Sequence, residues 1–407
     1  MKTVAEHLAD VLAGVGPLPP IEMQLLDAHG CTLAREVTAP IDLPVFDNSA
    51  MDGYAVVAAD LAGAGDAPVT LPVLGDMAAG TAPTAYRVGP GVSTRIMTGA
   101  PVPGGADAVV PVEWTDGGVE QVQIRRAPAV GANIRRRAED VTTGELLLPA
   151  GTRLGARQLG LLAAAGLGRI PVRPRPRVVV LSTGSELVEP GSVLGPGQIP
   201  ESNSSTLTAA ALEAGALAFR VGIVPDDPGQ LLDAIEDSLV RADVVLTTGG
   251  VSVGAYDVVK EALGTLGTVR FDKVAMQPGM PQGFGTVGRD ATPIFTLPGN
   301  PVSAYVSFEV FVRPVLRRLL GIEPVQRPLV DAVVLEGFSS PPGRRQYVRA
   351  ALDPSELGYA VRPVGGRGSH LVKDLARSDA LIVVPEEVRE VPEGATVQVA
   401  VLERRAG

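Results

Sequence analysis

The sequence predicts a multidomain α/β plus β protein. Its centre is a doubly wound parallel sheet, preceded by a helical segment that carries an inserted small β region and followed by a small terminal β region. Three observations predict this. Between residues 177 and 322 the apolar runs Val178 to Leu181, Phe219 to Val224 and Val244 to Leu246 alternate with helical segments, as expected of strands buried on both faces of a parallel sheet. From about 55 to 149, and again after Pro328, short β runs are punctuated by glycine and proline, as in small β domains. Helical periodicity in the first part of the chain is confined to residues 3–14, 21–29 and 156–165.

In chain order, Thr3 is a candidate N-cap for a first helix with Val4, Leu8, Val11 and Leu12 on one face, stopped by the prolines at 17, 19 and 20. A second helix is expected over 21–29, ended by Gly30. The runs Val69 to Leu74, Gly91 to Met97, Ala108 to Val112 and Val119 to Ile124 read as the strands of the inserted region. After a helix ended by Gly166, the run Pro171 to Pro176 reads as an extended linker. The α/β part follows, with helices from Ser204 to Glu213 and from Pro228 to Val240, and a long helix from Pro301 to near Gly321 that Asn300 can cap. Terminal strands are expected at 329–335, 346–351, 380–384 and 396–402.

The chain has 407 residues, enough for two to four domains with their own cores. Its 35 Lys and Arg against 45 Asp and Glu leave a net charge of −10, opposite to the basic excess of a nucleic-acid or membrane-surface protein. No apolar run approaches the roughly 20 residues that span a bilayer. The single cysteine, Cys31, cannot form an intrachain disulfide, and a cytoplasmic protein is the expectation. Cys31 has no CxxC partner, His7, His29 and His370 show no zinc spacing, and there is no GxSxG elbow. What remains is carboxylates and hydroxyls in glycine loops, an inventory suited to Mg²⁺-assisted phosphate chemistry.

In parallel sheets ligands bind beyond the strand C-termini. Four polar loops are expected on that edge: 182–186, 226–227, 247–257 and 297–303. In the third, glycines allow backbone N–H groups and hydroxyls to converge on an anion, while Asp257 beside an anion suggests Mg²⁺ ligation or the positioning of a polar ligand group. Its spacing matches neither GxGxxG nor GxxxxGK[ST], so an ordinary βα turn and an anion site both fit. The polar cluster at 46–55 is equally compatible with a turn. The run Asn133 to Asp140 sets three arginines beside two carboxylates, as a solvated edge or an anion-gathering surface.

The stretches FDNSAMDGYAV at 46–56, RIMTGAPVP at 95–103, NIRRRAED at 133–140, STGSEL at 182–187, DDP at 226–228, TTGGVSVGAYD at 247–257, LPGNPVSA at 297–304 and GSH at 368–370 resemble, together and in order, the molybdopterin molybdenumtransferase family, the bacterial MoeA proteins and the gephyrin E domain. The resemblance implies a homodimer of four-domain subunits. Helical domain I would comprise 1–45 and 150–176, and inserted β domain II 46–149. A MogA-like, molybdopterin-binding α/β domain III would span 177–327, and a β-barrel domain IV 328–407. It implies insertion of molybdate into adenylylated molybdopterin with release of AMP, in a Mg²⁺-dependent step, and contact with the molybdopterin adenylyltransferase. Carried over by position, Asp52, Asp140, Glu186, Asp226 and Asp257 are the implied catalytic carboxylates, with Glu186 and Asp257 as metal ligands. Thr98, Thr248, Gly250, Ser252, Lys273, Pro298, Pro301, Ser303, Arg349 and Ser369 are the implied binding residues.

The chain departs from the family where a KPGKP stretch is usual: it has Gln277-Pro278-Gly279-Met280-Pro281. Losing two ammonium groups near a dianion weakens binding, and Arg349 and Arg367 are the cations left to compensate. Two alternatives therefore stay open, a non-catalytic molybdopterin-binding paralogue or scaffold and a Mg²⁺-dependent nucleotide hydrolase.

Overall fold

The computed structural model describes residues 1–249, 258–264, 266–355 and 358–402. The chain divides into two compact units. One holds Met1–Met23, Gly30–Ala34 and the chain from Pro171 onward; the other holds Gln24–His29 and Arg35–Ile170.

In the first unit, helix α1 (Val4–Ala13) starts where expected, because the Thr3 hydroxyl accepts from the Glu6 N–H and Glu6 reaches back to the Thr3 N–H. Its buried Val4, Leu8 and Val11 lie at helical spacing. The apolar runs become strands β1 (Arg177–Thr183), β2 (Leu217–Val224) and β3 (Val244–Thr248). They join β4 (Val269–Lys273), β5 (Pro281–Val287) and β6 (Thr292–Leu297) in one sheet ordered β2-β1-β3-β6-β5-β4. Pairings among β2, β1, β3 and β6 are parallel, whereas β5 and β4 run antiparallel. The expected parallel sheet is therefore mixed: the turn between β5 and β6 is too short for a crossover.

Both faces are covered. Val178, Val180, Leu246 and Phe295 pack with α1, with Leu207 and Ala211 of α2 (Asn203–Glu213), and with Phe308 and Phe311. Val179, Leu181, Val245 and Ile294 pack with Leu231 and Ile235 of α3 (Pro228–Leu239) and with Val259 and Leu263 of α4 (Val258–Gly264). This two-sided burial is why β1 and β3 read as unbroken apolar runs, whereas the edge strand β2 is fully buried only at Val224.

The expected long helix is present in three parts: α5 (Pro301–Ser307), a π turn (Phe308–Val312) and α6 (Arg313–Leu319). Pro314 has no N–H to give Val310, which interrupts the regular ladder. Asn300 sits at the N-cap position, but its side chain makes no capping bond. Strands β7 (Leu329–Val334), β8 (Arg345–Ser355), β9 (Gly358–Pro363), β10 (Ala380–Val384) and β11 (Thr396–Val401) follow. They pair in the cycle β8-β9-β7-β11-β10-β8 and close a barrel around Val334, Ala350, Val361, Ile382 and Val399.

The second unit contains the inserted sheet, ordered Ala108–Pro111, Gly53–Val56, Ser93–Ile96, Val69–Met77 and Gln121–Ile124. Tyr54, Val56, Val110 and Ile124 fill one side, Ala55, Met77, Ile96 and Val109 the other. The helix Ala156–Ala164 lies where periodicity puts it.

Two expectations fail. Residues 21–29 are not a helix: Ile21–Gln24 is a strand, and only isolated turn bonds follow, from Ala28 N–H to Gln24 and from His29 N–H to Leu26. Nine residues between a proline pair and Gly30 are too few to sustain a helix without tertiary support. The run 171–176 is not a free linker: its first part belongs to the strand Arg169–Arg173, in which Val172 and Arg173 pair with Leu33 and Thr32.

Candidate functional site

The connections leaving β1 and β3 run in opposite directions, to β2 on one side and on toward β6 on the other, so a topological switch point lies between them. The loops after β1, β3 and β6 meet there in a cleft of about 280 Å³ lined by Thr183, Glu186, Asn203, Thr248, Pro301 and His370 among others. Gly249 makes the approach of the loops feasible. At φ +100°, a Cβ there would lie 2.5 Å from the Thr183 carbonyl oxygen, so only glycine fits. Of the residues expected on this edge, Gly250, Ser252 and Asp257 lie outside the described residues.

A buried carboxylate that sequence reasoning missed organises the floor. Glu201, 2% exposed, accepts from Ser182 Oγ at 2.8 Å, from the Ser204 N–H at 2.8 Å and from Ser204 Oγ at 2.5 Å, with Arg220 3.6 Å away. It ties the end of β1 to the start of α2. Asn203, also missed, ties the other two loops together: its Nδ2 donates to Thr248 Oγ1 at 2.9 Å and to the Gly299 carbonyl at 2.7 Å. The Thr248 hydroxyl in turn donates to the Pro298 carbonyl at 3.3 Å. Thr248, expected as a ligand contact, thus spends its hydroxyl on holding loops together. The only sequence signal for these two was a Glu-Ser-Asn run at a helix start.

Glu186 is exposed in the cleft, and its carboxylate has no hydrogen-bond or ion-pair partner among the described residues. Asp226 accepts from the Ser185 N–H at 2.9 Å, joining the β2 loop to the β1 loop. Pro301 and buried Ser303 sit on the first turn of α5. One free amide of that turn is already used, because Val302 N–H donates to the Ser369 carbonyl at 3.0 Å. Among the described residues no group of three His, Cys, Asp or Glu side chains is gathered as a metal site.

A smaller cavity, about 110 Å³, is lined by Val302, the residue after Pro301 of the cleft, and by Gln277, Gln346, Arg349 and Arg367 with Pro278 and Phe338. Arg349, 5% exposed, donates to the carbonyls of Gly368 at 3.2 Å, Leu371 at 3.1 Å and Gly366. Burial pulls its guanidinium below the usual arginine range. It organises the loop that carries Ser369 and His370. Arg367 donates to Ser339. Of the two positions where lysine is usual, Gln277 lines this cavity and Met280 does not. Lys273 ends β4, exposed, and lines neither cavity.

In the second unit, three motifs are stitched into one surface. Asn48 and Ser49 pair with Arg135 and Ile134, Ser49 N–H donates to Ala100 and Gly99 N–H to Ser49. Asp52 accepts from the Thr98 N–H at 2.7 Å and hydroxyl at 2.8 Å, and these bonds hold its carboxyl below the usual carboxylate range. Asp140 is exposed, and its N–H donates to the Leu43 carbonyl at 2.9 Å. The anion-gathering surface expected of the arginines is largely neutralised: Arg136 pairs with Asp47 at 2.7 Å and Arg137 with Asp42 at 2.5 Å.

Comparisons with known proteins bear on what this arrangement is. Three family profiles match in order: "MoeA N-terminal region (domain I and II)" over residues 2–166, "Probable molybdopterin binding domain" over 179–318 and "MoeA C-terminal region (domain IV)" over 331–402. A molybdopterin molybdenumtransferase 2 of Mycobacterium tuberculosis is 49% identical over 406 residues, covering 98% of this chain and 99% of its own. The molybdopterin molybdenumtransferase of Bacillus subtilis is 37% identical, covering 92% and 88%. A molybdopterin biosynthesis MoeA structure from Pyrococcus horikosii superposes with a TM-score of 0.81 at 32% identity, covering 99% of both chains. Matched along its whole length and in all three regions, this chain belongs to the molybdopterin molybdenumtransferase (MoeA) family.

Proposed function

We propose that this protein inserts molybdate into adenylylated molybdopterin and releases AMP, a step of molybdenum cofactor biosynthesis. The observation that carries the reading is a pair of cavities that meet consecutive residues of the first turn of α5, the cleft at Pro301 and the small pocket at Val302: the cleft at the switch point has a carboxylate unpaired among the described residues, and the pocket is lined by two guanidinium and two amide side chains. The first suits a pterin with its phosphates, the second a tetrahedral oxyanion. The relatives' name, molybdopterin molybdenumtransferase, supports the same reading.

In this reading Glu186 and Asp257, the latter outside the described residues, would hold Mg²⁺, which when bound would supply neutralisation of the phosphate charge; one or two carboxylates plus substrate phosphates are its usual set. The Glu186 carboxylate, unpaired among the described residues, fits such a role. Glu201 and Asn203 hold the loops that shape the cleft, and Asp226 steadies the Ser185 turn. The Arg349-held loop and Gln277 receive molybdate with Ser369 near it; Lys273, exposed and lining neither cavity, would need to reach the ligand from outside them. Asp52, Thr98 and Asp140 would complete the cleft of a partner subunit in a homodimer. The same reading includes contact with the adenylyltransferase that supplies the substrate, and the four-domain division at 1–45 with 150–176, 46–149, 177–327 and 328–407.

The test mixes the purified protein with adenylylated molybdopterin, Mg²⁺ and graded molybdate and follows AMP. Release that requires molybdate and is lost in Asp257→Ala supports the transferase. Ligand bound with no AMP at any molybdate concentration sinks it and leaves a binder.

A further inference from the structure

Two polar atoms on the cleft floor are used by nothing in the scaffold just described. Thr183 is 4% exposed and lines the cleft, yet its Oγ1 has no hydrogen-bond partner among the described residues. The Oδ1 of Asn203, in the same cleft, is buried and equally without a partner. The orientation of the Asn203 amide is fixed, because its nitrogen faces the Gly299 carbonyl, which can only accept. Both residues border Thr248 and Gly249: Asn203 bonds the Thr248 hydroxyl, and a Cβ on Gly249 would lie 2.9 Å from Thr183 Oγ1. The floor therefore offers one pure acceptor and one hydroxyl able to donate. Buried polar atoms are satisfied as a rule, so such a pair calls for a group with an N–H donor beside a C=O acceptor.

We propose that Thr183 and Asn203 read the lactam edge of the pterin ring: the ring N–H donates to Asn203 Oδ1, and the ring carbonyl accepts from the Thr183 hydroxyl. This rests on the pterin-binding reading above and adds the residues that recognise the ring. It also gives Asn203 two tasks, fastening the loops through its nitrogen and contacting the ring through its oxygen.

The test titrates the full chain with pterin and with 3-methylpterin, whose lactam N–H is blocked, by pterin fluorescence. In parallel it measures KM for adenylylated molybdopterin in AMP release. Unaltered protein is expected to prefer pterin over 3-methylpterin by about tenfold, and Asn203→Ala to bring that ratio near one. Thr183→Val, nearly isosteric and safe for the fold, is expected to weaken pterin binding about 3- to 10-fold and to raise KM similarly, with kcat and the unfolding midpoint unchanged. A ratio near one in the unaltered protein overturns the proposal. So does AMP release whose KM is unmoved by Thr183→Val. Absence of both pterin binding and AMP release in the unaltered protein removes the underlying reading as well.

Discussion

The cleft at the switch point and the pocket beside the barrel share the first turn of α5 but are built from opposite materials. The cleft is framed by carboxylates and hydroxyls, with Glu201 buried and bonded and Glu186 exposed and, among the described residues, unpaired. The pocket is framed by Arg349, Arg367, Gln277 and Gln346. A carboxylate-lined site receives phosphates only through a cation, whereas a site of guanidinium and amide donors receives an oxyanion directly. The contrast shows that charge sign alone does not mark a binding residue. Glu201 and Arg349 are both buried and charged, and both are spent on loops.

The largest effect expected to break the contrast is on chemistry in the cleft. Glu186→Gln should lower kcat for AMP release by about 100-fold, in the range for losing one electrostatic contact to developing charge, and leave molybdate KM within about twofold; a large rise in molybdate KM would mean the two sites are not separate. Next comes Glu201→Ala. Removing the acceptor of three buried bonds should destabilise the fold by about 2–4 kcal/mol, seen as a lower urea midpoint at unchanged slope. Gln277→Lys should sharpen the contrast from the other side: one added charge-assisted contact is about 1.5–3 kcal/mol, so molybdate should bind about tenfold or more tightly in a calorimetric titration, with pterin binding unchanged. An unchanged molybdate affinity would place the oxyanion elsewhere.

The smallest effect concerns Asp52, whose bonds from Thr98 depress its carboxyl. Because the folded state binds that proton less readily than the unfolded chain, the stabilisation is complete above about pH 4, the ordinary carboxylate value, and is lost as pH falls below it. The stability difference between the unaltered protein and Asp52→Asn should therefore shrink as urea unfolding is repeated from pH 6 down to about pH 3.

Much of this was legible in the sequence. The first three α/β strands, four of the five inserted strands and most terminal strands lie where the apolar runs put them, since burial on one or two faces leaves a period that can be read locally. The inserted strand Gly53–Val56, the sheet strand Thr292–Leu297, the barrel strand Gly358–Pro363 and the antiparallel pair at the sheet edge were not foreseen. The segment 21–29 was misread because a nine-residue amphipathic pattern does not decide between helix and strand. Among site residues, the motif loops were found, but Glu201 and Asn203 were passed over, and the Asn133 to Asp140 arginines read as freer than they are.

By itself the sequence determined the order of elements, the polar loops at the sheet edge and the family resemblance, all of which depend on residues near one another in the chain. Only the tertiary structure decided which polar groups are spent and which are free. The Thr248 hydroxyl is taken by Asn203, 45 residues away, and the Pro298 carbonyl, 50 residues away, while Thr183 Oγ1 and Asn203 Oδ1 are unpaired among the described residues. A hydrogen bond is set by distance and angle in space, and two residues that far apart acquire them only when the sheet closes.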